Sequence, residues 1–265
     1  MNCALFKFRM IGLLVLVLLV PEAHAQQSNR FLHWSYRDVG RVARQVLPQA
    51  PVYAILGTAA LVTTMNLDEP FQDEVRETYT NTPFLQSYFN VTNELGGPLM
   101  LFPATGLFTV SLLTENTRFQ DAAFTSLQSW VYAGSMTFGL KRAFGRMRPE
   151  EGMGASIFRP LSRHTSFPSG HTTAVFALIT PWVLYYPNPV TYGLFALGTS
   201  TAIARMALNK HWPTDVLAGA AIGFFTGRFL ARMHLRESVG SAINLTRLRM
   251  QTHIAPNGFV LALNW

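Results

Sequence analysis

Apolar positions at helical spacing recur along most of this chain. From Phe31 to Leu47, the residues Leu32, Tyr36, Val39, Ala43, Val46 and Leu47 recur at three- and four-residue intervals, with Arg37, Arg41 and Arg44 on other faces. This predicts a basic amphipathic helix packed on the domain; the alternative is a helix lying on an anionic membrane surface with Trp34 and Tyr36 at the interface. Residues 51–67 and 97–113 predict apolar helices, the second interrupted by Pro103. Between them the polar stretch 68–94, with Pro70 and Pro83, reads as a loop with short helical pieces. A longer helix is expected over 122–146, uncharged in its first part and ending in Lys141-Arg142-Ala143-Phe144-Gly145-Arg146-Met147-Arg148-Pro149.

After a polar, arginine-bearing loop over 150–167, thirty-three uncharged residues run from Thr172 to Ala204. Pro187-Asn188-Pro189 breaks this run into two helices, one opening at His171 and ending near Tyr186, the other from Val190 to about Leu208. Rising about 1.5 Å per residue, helices of such similar length return the chain to its starting level, so Arg205 to His211 are expected beside His171. A last helix starts at Trp212-Pro213-Thr214-Asp215, with Pro213 suited to the first helical position, and reaches about Met233. The tail changes period: Leu248, Met250, Thr252 and Ile254 alternate with polar residues, and Asn257-Gly258 precedes an apolar run, which predicts a β-hairpin over about 245–265. The pattern predicts an all-α bundle of about six core helices carrying that small hairpin, and no linker or repeat divides residues 26–265 into more than one domain.

The first residues change the picture. Lys7 and Arg9, an apolar run from Ile11 to Val20 and Ala23-His24-Ala25 form a basic region, a short apolar core and a small-residue cleavage site, so residues 1–25 are read as a secretory signal peptide. Removing it takes Lys7, Arg9 and Glu22 from totals of 21 basic and 14 acidic residues, leaving 19 and 13 and a formal charge of +6. It also removes Cys3, the single cysteine, which excludes disulfide and thiol chemistry in the mature chain and suits a bacterial periplasm. The basic balance favours phosphate groups or a membrane surface as partners over nucleic acid.

Three clusters carry candidate chemistry. In Pro168-Ser169-Gly170-His171, breakers and a capping residue open a helix whose first amides have no intrahelical acceptors, a natural oxyanion site with an imidazole at its mouth. Lys141 and Arg148 stand seven residues apart, two turns on one face of a continuing helix. Arg205, His211 and Asp215 lie around the start of the last helix, the carboxylate close enough to hold an imidazole nitrogen. Singly, each has a plainer reading: arginines after a helix as a solvated face, His211 beside Trp212 as a packed histidine. Together they supply what metal-free phosphoryl transfer needs: cations for the equatorial oxygens, one histidine to attack phosphorus, a carboxylate to fix its tautomer and a second histidine to protonate the leaving alkoxide. No cysteine or clustered Asp/His set offers a metal site, and no cofactor is expected.

Lys141-x6-Arg148-Pro149, Pro168-Ser169-Gly170-His171 and Arg205-x5-His211-x3-Asp215 resemble the three-part signature of the type 2 phosphatidic acid phosphatase (PAP2) family, which includes bacterial acid phosphatases, lipid phosphatases and vanadium haloperoxidases. The resemblance covers Lys141 to Asp215. It implies a PAP2-type helical bundle in which His211 is the nucleophile forming a phosphohistidine, Asp215 orients it and His171 is the acid, while Lys141, Arg148, Ser169, Gly170 and Arg205 bind phosphate. The family usually has serine before the third-motif arginine; here the residue is Ala204.

The resulting expectation is a periplasmic, metal-independent phosphatase acting on a phosphate monoester or pyrophosphate. The segment His211 to Gly219 resembles the lipid-phosphatase members, which implies a lipid or isoprenoid substrate. A phosphotransferase with the same intermediate, a vanadate-dependent haloperoxidase and a non-catalytic envelope binding protein are the rivals. Membrane association without six spans is expected: the last helix has only twelve uncharged residues, Val216 to Gly227, before Arg228, where a span needs about 20. The alternative is an integral inner-membrane protein with an uncleaved signal.

Overall fold

The protein's structure, a computed structural model, describes residues 25–49, 57, 59–248, 252–255 and 258–261. Residues 1–24, which hold most of the expected signal peptide, lie outside them, as do most of the residues of the helix expected over 51–67 that precede Ala59. The helices are α1 (Ala25–Val46), α2 (Asp68–Thr80), α3 (Pro83–Asn93), α4 (Leu101–Leu112), α5 (Thr117–Phe144), α6 (Gly170–Tyr185), α7 (Pro189–Ala207) and α8 (Pro213–Leu248), and residues 59–64 are also helical.

The α6–α8 pair forms the spine. Gly219, Gly223 and Gly227 recur every fourth residue and face α6 so closely that a Cβ on Gly219 would stand 2.5 Å from the Ser169 carbonyl oxygen, and one on Gly223 2.5 Å from that of Thr173. This approach presses the start of α8 onto the start of α6. Val175 and Phe176 of α6, Ala202 and Met206 of α7 and Val216 of α8 fill the space between the three helices. The turn between α6 and α7 is held by Asn188, whose side chain accepts from the Thr191 amide at 3.1 Å while the Thr191 hydroxyl reaches back to the Asn188 amide, a reciprocal cap.

α1 packs on α4 and α5 through Phe31, Trp34, Phe108 and Phe124, each of whose burial stabilises the fold by roughly 1.5–3 kcal/mol. Its inward face differs from the one the apolar spacing indicates: Tyr36 and Val39 are 75% and 59% exposed, and Asp38 is buried in their stead. The cause is polar. Asp38 accepts from Gln128 at 2.9 Å and stands 2.9 Å from His234, which lies under the Trp34 ring at 3.9 Å and meets Thr125 at 2.8 Å. Trp34 is therefore a core residue, not an interfacial one.

The stretch 68–94, expected as a loop with short helical pieces, is almost wholly two helices, α2 and α3. Pro70 falls in the first turn of α2 and Pro83 at the first position of α3, where a missing N–H costs nothing. Two of the polar residues of α2 point inward; Asp68 and Gln72 are buried, and Gln72 donates to the Met206 carbonyl at 2.7 Å. Pro103 likewise sits in the first turn of α4 and does not interrupt it. α8 runs fifteen residues past Met233, so the start of the segment assigned to the hairpin is helical; the paired strands are Thr252–Ala255 and Gly258–Leu261. Over Pro213–Ser238 α8 is long and apolar enough to cross a membrane, and α3 with α4 pass the same test together although bent by 56°. Counting uncharged residues alone thus understates α8, because Arg228 lies along it against the Phe224 ring.

Candidate active site

The ends of α5, α6, α7 and α8 meet at one level. α5 stops at Phe144 because Gly145 turns left-handed, φ 57°, at a point where a Cβ would stand 1.8 Å from the Arg159 carbonyl oxygen. Lys141, in the last turn, donates to the Thr165 and Ser166 carbonyls. Arg148 therefore does not share a helix face with Lys141, as the spacing implied: it lies in extended backbone beyond the helix end. The two are brought together by the loop, since Arg148 donates to the Thr165 hydroxyl at 3.3 Å.

Asp215 is fully buried and held from three sides. Its Oδ1 accepts from Arg146 at 2.7 Å, and its Oδ2 accepts from the Trp212 amide at 2.9 Å and from the Ser166 hydroxyl. His211, two residues before α8, has its Nδ1 3.6 Å from the same Oδ2, beyond hydrogen-bond length. The Asp215 carbonyl in turn accepts from the Ser169 amide at 2.9 Å, tying the second cluster to the third. Ser169 does not cap α6 with its side chain; its hydroxyl is engaged by Thr172 at 3.0 Å. Gly170 passes beside the Lys141 side chain, with only 3.6 Å between a Cβ there and Lys141 Cε.

Burial first, and the neighbouring charges second, set the protonation states. Burial lowers His211 to about 3, and Lys141 and Arg205 push the same way against the pull of Asp215. Burial also lowers His171 to about 3, with Arg205, Lys141 and Arg148 all contributing. Lys141 falls to about 7, again mainly through burial, and Arg205 to about 10. Both imidazoles are thus neutral near pH 7 beside Arg148, Arg205 and a Lys141 that is about half protonated there, a site short of negative charge. Such a site can hold a tetrahedral dianion against side-chain cations and first-turn amides while a neutral imidazole faces it.

Several residues the sequence reading did not single out complete the arrangement. Arg146, fully buried, joins Asp215 to Asp68 at 2.6 Å, and Asp68 accepts from both the amide and the hydroxyl of Thr214, at 2.8 and 2.6 Å. Arg205 donates to Asn93 at 2.6 Å. Gly96 packs on the backbone of His171, where a Cβ would stand 2.5 Å from its carbonyl oxygen. At the rim Glu150 bridges Arg148 at 3.2 Å and Lys210 at 2.5 Å. Ala204 is buried against Phe89 and Ala207, so at the position of the family's serine this chain has an apolar contact with α3.

Helix ends converging in this way bring three cations, two histidines and a carboxylate to one place, and residues 122–238 match the PAP2 superfamily. Among the relatives is the lipid A 1-phosphatase of Rhizobium johnstonii, 33% identical over 137 residues, a match covering 50% of this chain and 51% of that protein. The decaprenylphosphoryl-5-phosphoribose phosphatase of Mycobacterium tuberculosis is 29% identical over 46% of this chain and 67% of its own length. The chain thus spans about half the length of its Rhizobium relative. Among solved structures, a transmembrane PAP2-type phosphatidylglycerolphosphate phosphatase from Bacillus subtilis superposes with a TM-score of 0.57 at 19% identity, over 70% of this chain and 94% of the other, which establishes a common fold.

Proposed function

We propose that this protein is a phosphatase that removes phosphate from a lipid-borne ester without a metal, through a phosphohistidine on His211. The observation that carries the reading is the buried, neutral His211 beside a triply anchored Asp215, under Lys141 and Arg205. Both relatives act, by their names, on phosphate carried by a lipid. The cations Lys141, Arg148 and Arg205, with the amides that open α6, hold the three non-bridging oxygens. The far nitrogen of His211 attacks phosphorus, its Nδ1–H turning toward Asp215 as positive charge develops on the ring. The bond from phosphorus to the ester oxygen breaks, and His171 protonates the departing alkoxide. His171 is neutral in the empty site chiefly because it is buried, with Arg205, Lys141 and Arg148 pushing the same way; a bound dianion offsets the cations' part and so favours taking up the proton. Water then enters, gives a proton back to His171 and releases orthophosphate from His211; an alcohol in its place would make the enzyme a phosphotransferase.

The apolar outer surface supports a location at a membrane: Leu99, Phe102, Val110 and Leu113 around α4, and Leu217 and Phe225 on α8, are exposed. With the signal-like first residues this makes the protein an exported, membrane-associated enzyme of the periplasm, which N-terminal sequencing of the mature chain tests. For the chemistry, brief reaction with a ³²P-labelled substrate should leave acid-labile, base-stable label on the wild type and none on His211→Ala, with turnover lost in the variant and retained by the wild type in excess chelator. A His211→Ala protein that still turns over normally rules the mechanism out.

A further inference from the structure

The turn after α3 lies outside the stretch that matches the superfamily, yet it forms the wall of the site next to His171. Asn93 is the hinge of this wall. Its Oδ1 accepts from Arg205 at 2.6 Å, which leaves its amide nitrogen to donate to Glu94 Oε1 at 2.9 Å, so the Glu94 carboxylate is steered from the same residue that aims the arginine. Glu94 and Arg205 also attract each other through space. The other carboxylate oxygen, Oε2, and the His171 Nε2 stand 3.8 and 3.7 Å from the point a Cβ on Gly97 would occupy. The anionic side chain and the imidazole that meets the leaving group thus both border the space a Gly97 methyl would take, which the Glu94 carbonyl oxygen bounds at 3.1 Å.

A carboxylate at that place has chemical consequences for what can leave. Next to the ester oxygen it accepts hydrogen bonds from hydroxyl or N–H groups on the departing alcohol. It repels a departing group that is itself a phosphate: Glu94 is exposed, and two like charges a few ångströms apart at such a site oppose each other by at most roughly a factor of ten in affinity. We propose that Glu94 is a specificity-determining residue: it selects phosphate monoesters of uncharged alcohols bearing hydrogen-bond donors beside the ester, and it rejects diphosphates. This rests on the reading of His171 as the acid on the leaving-group side, and it narrows the monoester-or-pyrophosphate choice left open by the motifs.

The test uses Glu94→Gln, which keeps size and the contact with Asn93 while removing the charge, and Gly97→Ala, which fills that space at a φ of −73° that alanine accepts. In the full-length enzyme, kcat/KM is measured for octyl phosphate, octyl diphosphate and glucose 1-phosphate, and Kd for orthophosphate and pyrophosphate by calorimetry. Glu94→Gln should raise the diphosphate-to-monophosphate ratio by up to roughly ten-fold in both measurements, and lower the preference for glucose 1-phosphate over octyl phosphate. Gly97→Ala should depress glucose 1-phosphate turnover more than octyl phosphate turnover and leave orthophosphate affinity within two-fold, roughly the span of surface effects. Unchanged ratios in Glu94→Gln overturn the proposal. If the binding ratios shift but no ester is hydrolysed, the selectivity assignment stands and the phosphatase reading falls.

Discussion

Removing the Asp68 carboxylate should unsettle this protein more than removing any rim charge, although Asp68 lies outside the motifs. Asp68 and Arg146 are both fully excluded from solvent and paired at 2.6 Å, and Asp68 also takes the Thr214 amide and hydroxyl. In Asp68→Ala the guanidinium keeps Asp215 and the Ala155 carbonyl but loses one partner, and the Thr214 amide is left buried without an acceptor. Breaking a buried pair in this way costs about 3–5 kcal/mol, whereas the exposed Glu150 pairs with Arg148 and Lys210 fall in the surface class of about 0–1 kcal/mol. At roughly 2–4 °C per kcal/mol for a chain of this size, Asp68→Ala should melt on the order of 10 °C below wild type and Glu150→Gln within about 3 °C. Asp68→Asn, which keeps an acceptor for Thr214, should fall between. Thermal unfolding followed by circular dichroism reads all three. Equal melting points for Asp68→Ala and Glu150→Gln would refute the argument that the buried triad of Asp68, Arg146 and Asp215 holds the start of α8.

Three further outcomes follow from the same geometry. Because Lys141 in the empty cradle titrates near pH 7 and a bound anion restores its charge, orthophosphate binding at pH 8 should take up protons and its affinity should fall as pH rises above 7, with Lys141→Arg flattening the dependence; calorimetry in buffers of different ionisation enthalpy measures this. The histidines act on stability in the opposite pH range: His171 and His211 stay unprotonated in the fold down to about 3 while the unfolded chain protonates them near 6.5, so stability should decline as pH drops from about 6.5 toward 3. Gly219→Ala, whose Cβ meets backbone at 2.5 Å, should lose about 1–3 kcal/mol and most activity, while Gly139→Ala, with nothing within 4 Å, should gain about 0.5–1 kcal/mol; urea unfolding and phosphate release check the pair.

What was legible in the sequence was what acts locally. Pro187-Asn188-Pro189 ends one helix and caps the next within five residues, so α6 and α7 and their return to one level could be read from breakers and lengths. Lys141, Arg148, His171, Arg205, His211 and Asp215 could be picked out because their spacing is itself a pattern. Arg148 shows the limit of that reasoning: the spacing was informative, but the helix face inferred from it was not, since one left-handed glycine intervenes and a loop residue, Thr165, whose carbonyl takes Lys141 and whose hydroxyl takes Arg148, joins the two. Asp68, Arg146 and Asn93 were illegible for a different reason. Their partners are tens of residues or more away in the chain, and a polar residue turned inward to meet a distant donor has the same sequence signature as one turned out to water. Reading 68–94 as a loop with only short helical pieces came from that ambiguity and from Pro70 and Pro83. Its consequence reaches function: Asp68 braces Arg146, Asn93 aims Arg205 and Gly96 packs on His171, so residues 68–97 support each of the three motif clusters from outside the stretch that matches the superfamily. The candidate catalytic groups can be read from their spacing, but residues that brace them belong to α2, α3 and the turn behind them.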